Sequence, residues 1–281
     1  MKIALFPDTC AIAGKPVMKA FIKSLQGEDY DICLNTDRPN ADVVVMWSVL
    51  LNMYGRKPIY QYYKPKTKLL IIEVGGLLRN ESWRIGLGGI NAEANFANDD
   101  VDDARIKKFH LNPKPWRSGT HIIICTQNTN SAAWHGGNMI EWVDKQLQWI
   151  RSQSNRKVFI RIHPRHKINA QPLTKKYKDV HISTPKPTGN VDEVDFKKLL
   201  QDAHAVVNYN SNPAIESVLE GVPVFVDNSS LCRSVGNTIG GDIENPVTPD
   251  RTEWLKKISY CEWFVDEIEQ GLPWRRLKEA I

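Results

Sequence analysis

Short runs of consecutive apolar residues, separated by polar loops or by stretches with helical spacing, recur along the whole chain. In the first half these runs are Lys2–Phe6, Tyr30–Leu34, Ala41–Trp47 and Lys68–Glu73. The longer runs are apolar at successive positions, which predicts strands buried on both faces of a parallel sheet. An amphipathic helix is predicted to begin near Lys15-Pro16, since proline is tolerated in the first helical turn. The glycine-rich segment from Val74 to about Phe96 is predicted to be mostly loop.

The same alternation of apolar runs and helical segments begins again after Asn112–Trp116. Two prolines in this segment disfavour a helix or a central strand and predict a linker. The strands predicted beyond it are His121–Cys125, Lys157–Ile162, Val180–Ile182, Ala205–Tyr209 and Pro223–Val226. The helices predicted between them are Asn138–Ser152, Phe196–Ala203 and Pro213–Glu220. This pattern indicates an α/β protein with two doubly wound domains, residues 1–115 and 116–250. Residues 251–281 are predicted to form a helical tail.

Composition narrows the class of protein. The 281 residues suffice for two compact domains, and a content of 42% hydrophobic and 25% charged residues excludes a disordered or fibrous chain. No apolar run approaches the roughly 18 residues of a membrane-spanning helix, and the apolar start is too short for a signal peptide, so we expect a soluble cytoplasmic protein. The five scattered cysteines lack metal-ligand spacing and are expected to be reduced thiols. A net charge of +5 favours an anionic partner.

Two predicted strands in the second half end in polar side chains that suit a phosphate. Ligands of doubly wound sheets bind at the carboxyl ends of the strands, and a following helix can add backbone donors. Ser211 or Asn212 can cap that helix while donating to an anion, and nearby basic side chains can neutralise the charge. The predicted donor-binding residues are Arg161, His163, Pro164, Arg165, Asn210, Ser211 and Asn212, with Glu216 accepting hydrogen bonds from ribose hydroxyls.

The run Tyr209–Val224, preceded by His163-Pro164, resembles the donor-binding half of GT-B glycosyltransferases. The likeness is to capsule-polysaccharide Kdo transferases and bacterial sialyltransferases, which place a His-Pro motif and a serine-rich motif around the phosphate of a CMP-sugar. Those families also carry an acidic-acidic-glycine motif that supplies the general base, and Glu73-Val74-Gly75 resembles it. The chain departs from that motif at Val74, where a second acidic residue is expected, so the base would have to be Glu73.

The resemblance implies two Rossmann-like domains with a cleft between them and a tail that packs back on the first domain. It implies a glycosyltransferase with no bound cofactor or catalytic metal, which uses a CMP- or UDP-sugar as donor and a hydroxyl group, that of a glycan, as acceptor. Glu73 would take the proton of that hydroxyl, and His163 would stabilise the departing phosphate. Further substrate contacts are expected from Gly75, Gly76, Arg79 and Arg84.

Three other functions stay open on the sequence. The segment Tyr60–Lys68 interleaves aromatic and basic side chains, which suits a phage-type transferase acting on hydroxymethylated bases in DNA. A nucleotide-sugar 2-epimerase shares the two-domain architecture, and a non-catalytic nucleotide-sugar-binding protein needs the same pocket. A Rossmann dehydrogenase is disfavoured, because no G-x-G-x-x-G motif follows the first strand.

Overall fold

The structure is a computed structural model that describes residues 1–186 and 195–281. The described strands are β1 (Lys2–Leu5), β2 (Asp31–Leu34), β3 (Val43–Trp47), β4 (Lys68–Val74), β5 (Trp83–Leu87), β6 (His121–Cys125), β7 (Lys157–Arg161), β8 (Val180–Ser183), β9 (Ala203–Asn208), β10 (Val224–Val226), β11 (Asn237–Thr238) and β12 (Glu262–Trp263). The described helices are α1 (Lys15–Ser24), α2 (Arg56–Tyr63), α3 (Ala104–Lys108), α4 (Met139–Arg151), α5 (Gln171–Lys176), α6 (Phe196–Leu200), α7 (Pro213–Leu219), α8 (Thr252–Ser259), α9 (Val265–Glu269) and α10 (Leu272–Leu277).

Contacts group these elements into two compact units, each with its own sheet. The first unit comprises Met1–Phe109, Asn130–Ala133 and Leu255–Ile281. The second comprises His110–Thr129 and Trp134–Trp254. Helices alternate with strands in both units, which confirms the predicted α/β class.

The first unit is built on a six-stranded sheet in the order β12-β5-β4-β3-β1-β2. Strands β1 to β4 run parallel, whereas the β4–β5 and β5–β12 pairs are antiparallel. Every residue of β3 is buried, as expected of a central strand that is covered on both faces. Helix α1 has Pro16 in its first turn and buries Val17, Met18 and Phe21 against the sheet.

The prediction that residues 74–96 are mostly loop is wrong at the centre of that segment. Trp83–Leu87 pairs with Leu70–Val74 as β5. This position of the strand requires a glycine, Gly86, because a Cβ atom there would meet the carbonyl oxygen of Gly89 at 2.5 Å. That glycine permits a close approach of two backbone segments and does not mark a loop. The tail is not wholly helical either, since β12 adds to the sheet beside β5.

The second unit is built on six strands that are all parallel, in the order β11-β10-β9-β6-β7-β8. Helix α4 begins after Asn138, whose Oδ1 accepts hydrogen bonds from the backbone N–H groups of Ile140 and Glu141. Its apolar face joins the buried cluster above the strands. Because β6 lies between β9 and β7, the carboxyl ends of these three strands are neighbours. The predicted second doubly wound sheet is confirmed.

A buried ion pair fixes the tail within the first unit. Arg105 Nη1 lies 2.7 Å from Glu267 Oε1, and Lys108 Nζ lies 2.8 Å from the same oxygen. The backbone N–H of Phe264 donates to Glu267 Oε2. Burial alone would raise the pKa of Glu267, but the hydrogen bonds from Arg105, Lys108 and Phe264 outweigh it and lower the pKa below its ordinary value.

Glu267→Gln is expected to lower the free energy of unfolding by about 2 kcal/mol near pH 7, because hydrogen bonds to a charged group are lost. A carboxyl whose pKa is depressed by folding adds stability above its ordinary pKa of about 4.3, and this stability is lost as the pH falls. Urea unfolding of both proteins at about pH 7, 5 and 3.5 should therefore give a difference that shrinks towards acid. A difference that is constant over this range would contradict the assignment.

No helix within residues 1–186 and 195–281 is both long enough and apolar enough to cross a bilayer.

Candidate active site

A cluster of polar side chains lies at the carboxyl ends of β9, β6 and β7 in the second unit. Asn208 is the last residue of β9, Thr126 directly follows β6, and His163 lies two residues beyond β7. Asn208 and Thr126 are buried. Buried polar groups are costly unless they are hydrogen-bonded, so their partners determine what the cluster can offer a ligand.

Asn210 lies at the centre of a hydrogen-bond chain that links three strand ends. Its Oδ1 accepts a hydrogen bond from Gln127 Nε2 at 2.7 Å, and its Nδ2 donates to Ser229 Oγ at 2.9 Å. Ser229 Oγ in turn donates to Asp227 Oδ1 at 2.6 Å. These partners orient the Asn210 amide and tie the loops after β6, β9 and β10 to one another.

Ser211 is held by a reciprocal pair of hydrogen bonds to Asn208. Asn208 Nδ2 donates to Ser211 Oγ at 2.8 Å, and the Ser211 N–H donates to Asn208 Oδ1 at 2.9 Å. Since the hydroxyl oxygen accepts from Asn208, its own hydrogen can donate to a ligand. Asn212 is the N-cap residue of α7, which begins at Pro213, but its side chain makes no capping hydrogen bond.

His163 is half-buried, and its ring is oriented by the turn that follows β7. The backbone N–H of His163 donates to Thr126 Oγ1 at 2.8 Å, and the backbone N–H of Arg165 donates to the ring atom His163 Nδ1 at 3.1 Å. When the ring is neutral, this second bond assigns its proton to Nε2. Pro164 and Arg165 are exposed in the same turn, while Glu216 is half-buried in the first turn of α7.

Arg161, the last residue of β7, is only 5% exposed and lies beneath the turn at His163. Its guanidinium donates to Ser183 Oγ at 2.9 Å and to Asp195 Oδ1 at 2.7 Å. Burial would raise the pKa of Asp195, but the hydrogen bonds from Arg161 and the Lys186 N–H, together with the charge of Arg161, outweigh this and lower it. Cys125 is the partner of Arg161 on β6, and burial raises the pKa of its thiol to about 12, so this thiol stays neutral.

In the first unit, the half-buried Glu73 lies one residue before the end of β4. Its Oε2 accepts hydrogen bonds from Ser48 Oγ at 2.7 Å and from the Val49 N–H at 3.3 Å. Its Oε1 accepts from the Val74 N–H at 3.0 Å. All three partners are donors, and they fix the orientation of the carboxylate. A carboxylate has about four lone-pair sites, so one stays available to accept a proton.

The glycine loop after β4 is held by Glu262, a carboxylate that is 0% exposed. Glu262 accepts hydrogen bonds from the Gly76 N–H at 2.6 Å, the Leu77 N–H at 3.0 Å and Ser82 Oγ at 2.8 Å. A Cβ atom on Gly75 would meet Glu262 Oε2 at 2.3 Å. Gly75 therefore has a structural reason to be present, which is the close approach of this carboxylate.

The two arginines predicted to contact substrate lie in different environments. Arg84 Nη2 lies 2.9 Å from Glu262 Oε1, and the two side chains are 3% and 0% exposed, so this ion pair is within the core. Arg79 is exposed in the loop between β4 and β5.

The structure brings the site residues to two places, the strand ends of the second unit and the end of β4 in the first. The partners that the sequence reasoning missed are Thr126, Gln127, Asn208, Asp227, Ser229, Ser48 and Glu262. For Thr126 and Gln127 a signal was present, because they directly follow a predicted strand. For Glu262 there was none, since it lies 178 residues from Arg84 along the chain.

No protein-family model matches the chain, and no curated protein matches it in sequence. Among solved structures, KpsC beta Kdo 2,7 transferase of Thermosulfurimonas dismutans matches with a TM-score of 0.55 and 10% identity, over 99% of this chain and 100% of that one. The beta Kdo 2,4 transferase of the same KpsC matches with a TM-score of 0.52 and 11% identity, over 97% and 98%. A UDP-GlcNAc 2-epimerase of Methanocaldococcus jannaschii covers 99% of the chain at 12% identity, but its TM-score of 0.37 is too low to indicate a shared fold.

At these identities the likeness concerns the fold. Together with the two sheets, it confirms two Rossmann-like domains of the GT-B type, and it confirms at the level of the fold the predicted resemblance to Kdo transferases. The roles of individual residues stay predictions.

Proposed function

We propose that this protein is a glycosyltransferase that moves a sugar from a nucleotide-sugar donor to a hydroxyl group of a glycan. The observation that carries the proposal is the set of oriented donors at the strand ends of the second unit. Ser211 offers its hydroxyl hydrogen, because its oxygen accepts from Asn208, and the ring of His163 is oriented at the same strand ends by the Arg165 N–H. Donors of fixed orientation suit a phosphate on which negative charge develops as a bond breaks.

In the proposed reaction the second unit holds the nucleotide phosphate of the donor. The acceptor oxygen forms a bond to the anomeric carbon while the bond from that carbon to the phosphate oxygen breaks, and its electron pair stays on the phosphate. His163 and Ser211 stabilise that charge, Arg165 adds a positive charge at the rim, and Glu216 receives the ribose hydroxyls. Arg161 is buried and engaged by Ser183 and Asp195, so we assign it a supporting position at the end of β7 and no direct contact with the donor.

Glu73 takes the proton of the acceptor hydroxyl in this scheme. A hydroxyl is a poor nucleophile until a carboxylate accepts its proton in the transition state. The three donors on Glu73 orient its carboxylate, and its fourth lone pair is the one that receives the proton. Arg79, exposed beyond the glycine loop, is proposed to hold the acceptor. Arg84 is left out of the site because Glu262 engages it in the core.

Hydroxymethylated DNA is a second candidate acceptor, favoured by the surface of α2. Tyr62 is 39% exposed, and Lys66 Nζ lies 3.5 Å from the centre of its ring. No acidic residue occurs between Val43 and Ile72. Aromatic and cationic side chains together suit nucleic acid. Binding of duplex DNA that weakens steeply with salt, as expected for phosphate contacts, would move this acceptor to first place.

Nucleotide binding is the first test of the proposal. A panel of CMP, UDP, GDP and their sugars is expected to give one nucleotide that raises the melting temperature in the presence of EDTA. At a ligand concentration of 100 times Kd the stabilisation is about 2.7 kcal/mol, because the ligand binds only the folded state. His163→Ala and Ser211→Ala should each reduce this shift.

His181→Ala is the matched control, since His181 is exposed on β8 and its variant should keep the full shift. Absence of a shift with every nucleotide would overturn the proposed function. Conversion of a UDP-sugar without acceptor would favour an epimerase, and binding without any turnover a nucleotide-sugar-binding protein.

A further inference from the structure

Ser48, the residue after β3, has an unusual backbone conformation. Its φ is 63°, in the left-handed region that non-glycine residues rarely adopt. The other non-glycine residues with positive φ in the described ranges are exposed or half-exposed, whereas Ser48 is 1% exposed. Strained conformations of this kind persist only where the surroundings enforce them, and they cluster at functional sites.

The left-handed turn directs two donors onto one carboxylate oxygen. Ser48 Oγ and the Val49 N–H both reach Glu73 Oε2, at 2.7 and 3.3 Å. The Leu50 N–H donates to Ser48 Oγ at 3.1 Å, and the Ser48 N–H donates to the Ile72 carbonyl at 2.8 Å. Because Leu50 occupies the hydroxyl oxygen, the hydroxyl hydrogen is oriented towards Glu73. This arrangement fixes the direction of the bond as well as its length.

The charged group that faces Glu73 from α2 is Arg56, which is 2% exposed. Burial lowers the pKa of Arg56, and the negative charge of Glu73 acts in the opposite direction, so the two groups interact. Arg56 also donates to the Thr9 and Leu50 carbonyls. From β5 the Cα partner of Glu73 is Arg84, whose charge is balanced by Glu262. The thiol of Cys10 lies near Arg56, and burial keeps it neutral by raising its pKa to about 11.

We infer that Ser48 is a positioning residue for Glu73, holding its carboxylate in one orientation so that the fourth lone pair faces the acceptor hydroxyl. This inference rests on the proposed role of Glu73 as base. The strained turn has a purpose in this account, because a relaxed backbone at Ser48 would not direct the hydroxyl and the Val49 N–H to the same oxygen.

Ser48→Ala tests the inference through the pH dependence of kcat/KM. Removal of a hydrogen bond to the charged form raises the pKa of that form's conjugate acid, so the acid limb of the profile should move up by about one pH unit. Ser48→Gly should give the same shift, because the hydroxyl is again missing, while glycine adopts the left-handed conformation without strain. It therefore keeps the test valid if the alanine variant folds poorly.

Thr9→Val is the matched control. Thr9 is buried at the same edge of the sheet, and its hydroxyl donates to the Phe6 carbonyl and accepts from the Trp47 N–H, without contact to Glu73. Its acid limb should stay at the wild-type position. An unmoved limb in both Ser48 variants, or an equal movement in Thr9→Val, would overturn the inference while leaving the proposed function intact. Full activity of Glu73→Gln would instead show that Glu73 is not the general base.

Discussion

Glu73→Gln is expected to lower kcat for sugar transfer by about 10²- to 10⁴-fold, the usual contribution of a general base. Glutamine has nearly the same shape, and its amide oxygen can still accept from Ser48 and Val49, so the fold should survive. The amide cannot take a proton from the acceptor. Stabilisation by the nucleotide should be unchanged, because the proposed donor-binding residues lie in the second unit. Steady-state kinetics with the identified donor, together with a melting curve, measures both quantities.

Glu81→Gln is the appropriate control for that experiment. Glu81 is an exposed carboxylate in the same loop between β4 and β5, and its variant carries the same change of charge. It should retain wild-type kcat. Equal losses in the two variants would mean that the overall charge of the loop matters and that Glu73 has no specific role as base.

Glu262→Ala is expected to lower the free energy of unfolding by about 3–5 kcal/mol, the range observed when one partner of a buried ion pair is removed. The variant leaves the guanidinium of Arg84 in the core without its carboxylate, and it leaves the N–H groups of Gly76 and Leu77 without their acceptor. Urea denaturation near neutral pH measures the loss.

Two further variants make this prediction specific. Glu279→Ala removes an exposed carboxylate from the same tail and should change stability by less than about 0.5 kcal/mol. Adding Arg84→Met to Glu262→Ala should recover part of the loss, because the uncompensated charge disappears. A loss below about 1 kcal/mol in Glu262→Ala would show that this ion pair does not hold the glycine loop.

Strands buried on both faces give the clearest signal in the sequence. Val43–Trp47 and His121–Cys125 are apolar at nearly every position, and this pattern follows directly from helices covering both faces of a parallel sheet. Strand β5 was missed because the sequence does not distinguish Gly86, which a close backbone approach requires, from a glycine in a loop. Strand β12 has two residues, which is too short for any periodicity.

The grouping of polar residues at neighbouring strand ends of the second sheet could be predicted, but most of their hydrogen-bond partners could not. Polar residues at strand ends indicated one edge of the second sheet, since parallel strands align their carboxyl ends. No local sequence pattern indicates the order of the strands within the sheet. Gln127 meets Asn210, 83 residues later, only because β9 pairs with β6. The same limitation concealed the contact of Ser48 with Glu73, which depends on a left-handed turn at a residue type that rarely adopts one.

The outermost strand of the first sheet comes from the tail, and this arrangement bears on synthesis at the ribosome. Residues that form most of the first unit emerge early, yet the carboxylate that binds the Gly76 loop and neutralises Arg84 emerges only after the whole second unit. Until then β5 is an uncovered sheet edge, which is a template for pairing with other chains. While the second unit is being synthesised, the nascent first unit therefore has an unpaired sheet edge at β5 and no carboxylate partner for Arg84. Its folding is completed only when Glu262 leaves the exit tunnel.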